Sequence, residues 1–216
     1  MTINDIAPLA RESTAGIIAR QLRTAIMTGA LAPGTQLTEA ELAARFEVSR
    51  GPLREAMQRL VQEGLLRSEL HRGLFVIDLT AEDVSDIYLA RTAVERAALS
   101  RILASPELRA AAVAQLSEVQ ADMAAAGDQD ALSDADLRFH EALVAASGSK
   151  RLVRMAETLL IETRMCLAAL QRTYRGSEDR VEEHRKIVEA IRAADEPLAH
   201  HLLESHMTDA VERLTP

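Results

Sequence analysis

The chain has 216 residues, 48% apolar and 27% charged, with 25 basic and 33 acidic side chains for a net charge of −8. That apolar share is enough for a core and excludes an intrinsically disordered chain, while the acidic balance argues against bulk electrostatic attachment to DNA or an anionic membrane. With 3 Phe, 2 Tyr and no Trp the core is aliphatic, which favours packed helices over a large sandwich or barrel.

Cys166 is the only cysteine, so no intrachain disulfide is available, and its apolar setting from Met165 to Leu170 reads as packing rather than a nucleophile. The N-terminus carries Asp5 and Glu12 where a leader would need basic then apolar residues, and no charge-free apolar run approaches the ~18 residues of a membrane span. A cytoplasmic protein without membrane attachment is expected.

Glycine and charge divide the chain. Gly16, Gly29, Gly34, Gly51, Gly64 and Gly73 precede residue 80, and only Gly127, Gly148 and Gly176 follow it. Residues 1–79 carry 9 basic and 9 acidic side chains against 16 and 24 in the remainder, so the whole acidic excess lies in the second part. This predicts two domains, 1–79 and 80–216.

In chain order, residues 14–28 put Ile17, Ile18, Leu22, Ile26 and Met27 on one helical face that Gly29 ends. After the turn Ala32-Pro33-Gly34, Thr38 followed three residues later by Glu41 has the spacing of a capping box and opens a short helix with Leu42, Ala43 and Phe46 inward. Ser49 caps the next helix, whose stripe is Leu53, Met57, Leu60 and Val61 and whose stop is Gly64. Leu65–Leu70 and Leu74–Ile77, separated by His71-Arg72-Gly73, read as a two-stranded hairpin. From Thr80 the pattern is helical, with boundaries near Pro106, Gly127–Asp130, Gly148, Gly176 and Pro197 that give about six helices in an antiparallel bundle.

Three helices and a hairpin, with the second and third helices closely joined, predict a winged helix-turn-helix whose third helix enters a major groove. Arg50 and Arg54 are four apart and share a face away from the apolar stripe, while Pro52 is tolerated in a first turn. The Ser49 hydroxyl and the free N–H groups of the helix start suit a phosphate, and Arg45 and Arg72 are placed to add backbone or minor-groove contacts. Residues 14–78 resemble the GntR family of bacterial transcription regulators through Leu22–Gly34, Leu42-Ala43, Val48–Ala56, Gly64-Leu65 and Arg72-Gly73. The resemblance implies that Arg45, Ser49, Arg50, Arg54 and the wing residues Arg72 and Gly73 touch operator DNA. Gly51 departs from the threonine more usual there and removes one hydroxyl.

In the second part, Asp136 and His140 lie four apart on a helix beside Leu137, Leu143 and Val144, so both project from one face, as two ligands of one metal would. His184 lies beside Ile187, Val188 and Ile191, and His206 beside Leu202, Leu203 and Ala210; His200 or His201 could replace His206, although their setting near Pro197 reads as solvated. One carboxylate and three imidazoles suit zinc, nickel, iron or manganese, zinc first; a six-coordinate ion would keep two positions open, whereas tetrahedral zinc would be closed and structural.

Residues 82–210 resemble the FCD effector domain of the FadR subgroup through Tyr88–Glu95, Asp136–Leu143 with Ala146-Ser147-Gly148, and His184–Ile191 with His206. That resemblance implies that Asp136, His140, His184 and His206 hold a divalent metal, and that the metal's open positions and Arg91 receive a small carboxylate effector. Arg164 is a further candidate for the pocket, Arg91 and Glu95 form an i,i+4 pair, and Ser149 replaces the family's usual asparagine.

The expected whole is a mainly α protein: a homodimeric, ligand-responsive regulator, a repressor as is usual in the family, with residues 78–81 as hinge. It is not an enzyme. A helical-bundle metalloenzyme with a DNA-binding appendage and a constitutive DNA binder with a structural metal are the rival readings.

Overall fold

The computed structural model describes residues 12–70, 72–170 and 177–215. The chain divides into two compact units, Met1–Asp78 and Leu79–Pro216.

The first unit opens with α1 (Thr14–Met27), capped by the Ser13 side chain, which accepts from Gly16 N. Its buried stripe is Ala15, Ile18, Ala19, Leu22 and Ile26, a strict i, i+3, i+4 series. Ile17 is instead 37% exposed and Met27 half-buried. The expected face is therefore rotated, because two small alanines, and not the larger Ile17, take the closest packing positions. The short helix α2 (Glu39–Phe46) starts where expected: Thr38 Oγ1 accepts from Glu41 N at 3.4 Å and donates to Glu41 Oε2 at 2.6 Å. It stops at Glu47, in the left-handed region at φ 54°. Three residues later α3 (Arg50–Gln62) begins and buries Leu53, Ala56, Met57 and Leu60. Glu63 accepts both Arg23 Nε at 2.9 Å and Arg23 Nη2 at 2.7 Å, tying the end of α3 to α1.

The sheet has one strand more than the sequence predicts. Besides β2 (Leu66–Glu69) and β3 (Gly73–Val76), β1 (Gln36–Leu37) pairs antiparallel with β3, giving the order β1-β3-β2. Gln36 opposes Phe75 and Leu37 opposes Leu74. Two residues are too few to show an alternation, so this strand is visible only through its pairing. His71, at the expected tip, lies outside the described residues.

The second unit holds six helices among the described residues: α4 (Ala81–Leu103), α5 (Pro106–Ala124), α6 (Gln129–Ala146), α7 (Lys150–Leu170), α8 (Ser177–Ala193) and α9 (Glu196–Leu214). Pro106 and Pro197 sit in first turns, where no helical N–H is lost. The expected boundary at Gly176 lies outside the described residues. One aliphatic core joins Leu99, Ile102, Leu116, Leu143, Ile187 and Leu203, with the buried Cys166 packed among them. Ser149 acts as a cap: its Oγ accepts from Leu152 N at 3.3 Å. Most of the segment 78–81, expected as a hinge, belongs to the second unit. Leu79 packs against the bundle core, and Thr80 and Asp83 close a reciprocal capping box at the start of α4. No helix among the described residues is long and apolar enough to cross a membrane.

Candidate functional site

Asp136, His140, His184 and His206 are all buried, and each offers a ligand atom within 4.8 Å of every other. Residues from three helices meet here: Asp136 and His140 from one face of α6, His184 from α8, and His206 from α9. His140 Nε2 lies 3.1 Å from His206 Nε2 and 3.9 Å from Asp136 Oδ2, and His184 Nε2 lies 3.5 Å from Asp136 Oδ1. The fully buried Phe139 presents its ring to His184 at 4.5 Å and closes one side.

The other ring nitrogens face away from this point. His140 Nδ1 is 2.6 Å from Glu95 Oε2, His206 Nδ1 is 2.9 Å from Glu183 Oε2, and His184 Nδ1 is 2.8 Å from the Arg180 carbonyl. Carboxylate and carbonyl oxygens only accept, so each Nδ1 carries the proton and each Nε2 turns a lone pair inward. Two lone pairs 3.1 Å apart repel unless a cation lies between them, and this spacing is close to that of two nitrogens each bound about 2.0–2.1 Å from one ion. His184 Nε2, moreover, is buried without a hydrogen-bond partner. Donor chemistry, direction and the orphaned atom all fit a divalent metal, and the cluster could hold one.

Electrostatics agree with the geometry. Burial, and after it the neighbouring His206, which would repel a second charge beside it, push His184 down to about 4 against the pull of Asp136, so it is neutral near pH 7, as a ligand must be. Burial works to raise the Asp136 carboxyl, but His184, His140, His206 and Arg180 outweigh it and hold it well below the usual carboxylate range.

Arg91 lies beside the cluster on α4, 2% exposed. Its Nη2 is 3.0 Å from Glu95 Oε1, and its guanidinium sits 4.8 Å from the Tyr88 ring centroid and 3.4 Å from Thr163 Oγ1. Arg164, the other expected pocket residue, is not brought to the cluster. It pairs with Asp134 and lines a separate surface cavity of about 290 Å³ with Leu137, Glu141 and Leu160. One helical step from the inward Thr163 turns it about 100° outward. His200 and His201 also stay away. His201 is exposed as expected, but His200 is half-buried and hydrogen-bonds Ser100 Oγ at 3.0 Å.

Three neighbours were not singled out from sequence. Glu183 reaches His206 from α8, Arg180 is fully buried on the same helix, and Glu95, read only as the partner of Arg91, also meets His140.

In the first unit Arg45, Ser49, Arg50, Arg54, Arg72 and Gly73 are all exposed. Ser49 caps α3 by backbone position without a side-chain capping bond. Arg54 donates to Glu39 at 2.8 Å, and Glu69 pairs with both Arg67 and Arg72. The Arg67 and Arg72 guanidinium groups stand over the Phe75 ring at 5.4 and 5.1 Å, so Arg67 joins the wing's basic face.

A short helix joined by a tight turn to a basic helix, a three-stranded wing and a separate helical bundle define a winged helix-turn-helix protein with an all-α second unit. Residues 14–76 match the gntR family of bacterial regulatory proteins and residues 86–209 match the FCD domain. The chain belongs to the GntR family, in the group that carries an FCD domain. It is 30% identical over 207 residues to a gluconate operon transcriptional repressor of Bacillus licheniformis, covering 93% of this chain and 85% of that protein. It is also 30% identical over 197 residues to the transcriptional repressor GlaR of Escherichia coli (strain K12), covering 87% and 90%. The crystal structure of a GntR transcriptional regulator from Rhodococcus sp. RHA1 superposes with a TM-score of 0.77 at 30% identity, covering 94% of this chain and 98% of that one. The family is one of transcription regulators, and the metalloenzyme reading falls away with it.

Proposed function

We propose that this protein is a homodimeric repressor that binds operator DNA through α3 and the wing and responds to a small carboxylate effector at a divalent metal held by Asp136, His140, His184 and His206. The observation that carries the reading is the inward convergence of three Nε2 lone pairs and one carboxylate, each imidazole with its Nδ1 already committed, beside a buried arginine.

A bound divalent ion, zinc first among the candidates, supplies positive charge and open positions for an acid. Arg91 would anchor the same anion through its planar fork. Arg50 and Arg54 would read the major groove, Ser49 and Arg45 would hold phosphates, and Arg72 with Gly73 would approach the backbone beside the minor groove. The effector would act by binding one arrangement of the regulator better than another. That two relatives are named as repressors supports the repressor reading. The test is elemental analysis and a thermal-shift screen of sugar acids, hydroxy acids and dicarboxylates on wild type and on His140→Ala combined with His184→Ala. Metal and acid response are expected in the wild type and lost in the variant; unchanged metal stoichiometry in the variant overturns the site.

A further inference from the structure

The cluster does not end at its metal-facing atoms. Glu95 divides its carboxylate, Oε2 toward His140 Nδ1 at 2.6 Å and Oε1 toward Arg91 at 3.0 Å. Glu183 repeats the arrangement on another helix, with Oε2 toward His206 Nδ1 at 2.9 Å and Oε1 accepting from Arg213 Nη2 at 2.9 Å. A glutamate that served only as the charge partner of an arginine would need that arginine and nothing more. Both of these also bridge to the outer nitrogen of an imidazole whose inner nitrogen faces the cluster.

We infer that Glu95 and Glu183 are positioning residues that set metal affinity through His140 and His206. This rests on the metal reading above and extends it to two residues outside the ligand set. Each carboxylate fixes ring rotation and tautomer, so Nε2 presents its lone pair without a search among rotamers. Each also stabilises positive charge on the ring, which strengthens Nε2 as a donor. His184 has only the Arg180 carbonyl, a neutral acceptor, so the three imidazoles are graded in donor strength.

The two carboxylates differ in how safely they can be changed. Glu95 and Arg91 are both buried, and removing one strands the other. Glu183 and Arg213 are partly exposed, so Glu183→Gln leaves no buried charge behind. Glu182, exposed and paired with Arg185 and Lys186, is the matching control for a general change in charge.

The experiment measures Zn²⁺ and Ni²⁺ affinity of the full chain by competition with a chromophoric chelator at fixed pH, together with the melting temperature of the metal-free protein. Glu183→Gln is expected to bind both ions about 10- to 100-fold more weakly, while its metal-free melting temperature stays with that of Glu182→Gln, and Glu182→Gln binds like wild type. Glu95→Gln is expected to weaken binding at least as much. Wild-type affinity in Glu183→Gln overturns the inference, as does an equal loss in Glu182→Gln. If the wild type binds neither ion, the metal reading fails and this inference with it; if the wild type binds and Glu183→Gln is unaltered, this inference alone fails.

Discussion

Glu39, at the start of α2, holds Arg54 of α3 at 2.8 Å before any DNA is present. The pair is exposed, and the same arginine holds the Glu39 carboxyl below its ordinary range through that hydrogen bond. On the proposed reading of α3, a carboxylate on this face would aim Arg54 toward the bases and repel phosphates that approach out of register. Glu39→Gln is therefore expected to raise affinity for unrelated duplex several-fold and to narrow the ratio of specific to non-specific binding. Dissociation constants for a duplex selected by the wild type and for a scrambled one, across a salt series, would show it. An unchanged ratio would count against this role.

Arg50 sits in the first turn of α3 with its side chain exposed. Arg50→Ala is expected to weaken binding to the selected duplex by about 10- to 100-fold and to leave metal content as it was. Gel-shift titration alongside elemental analysis reads both; retained specific binding would sink the assignment of α3 as the reading helix.

Gly51 is a place where the chain can be improved. A Cβ there meets nothing within 4 Å, so the first turn of α3 has room for a side chain. Gly51→Ala is expected to raise stability by up to about 0.5–1 kcal/mol, since glycine in a helix costs backbone entropy. Gly51→Thr should in addition tighten DNA binding by restoring a hydroxyl near the phosphates. Urea unfolding and duplex titration of both variants separate the two effects; equal affinity in the alanine and threonine variants would remove the hydroxyl from the account.

Acid should loosen the metal-free bundle through His184. Its folded value of about 4 lies below the ordinary 6.5 because of burial. Between those values the unfolded chain takes a proton that the folded one refuses, so stability is full above about pH 6.5 and falls toward pH 4, by about 3 kcal/mol from this group. Glu183, pulled down to about 2 by His206 and Arg213 despite burial, extends the loss below pH 4. Urea unfolding at a series of pH values in the presence of a chelator tests this. A His184→Gln variant with the same slope between pH 6.5 and 4 would refute it.

Much of this was legible in the residues. Caps and apolar stripes located α2, α3 and the bundle boundaries because those signals are local. Asp136, His140 and His184 stood out by their spacing and their aliphatic neighbours on helices, and the resemblance to the FCD domain was what favoured His206 over His200 and His201 as the fourth. What escaped depends on rotation and on distant partners. The exposed Ile17, the outward Arg164 and the half-buried His200 each turn on a step of about 100° that periodicity does not assign to a neighbour. Glu183 and Arg180 look like ordinary members of a charged helix until α6 and α9 are packed against them.

The absence of tryptophan, which leaves the core aliphatic, also makes the molecule its own indicator. Its intrinsic emission comes from tyrosine alone, and of the 2 tyrosines Tyr88 is buried against the guanidinium of Arg91. An acid bound as proposed, drawing Arg91 toward itself, would alter what that ring touches, and its occupancy of the bundle would then be readable in unlabelled protein by light.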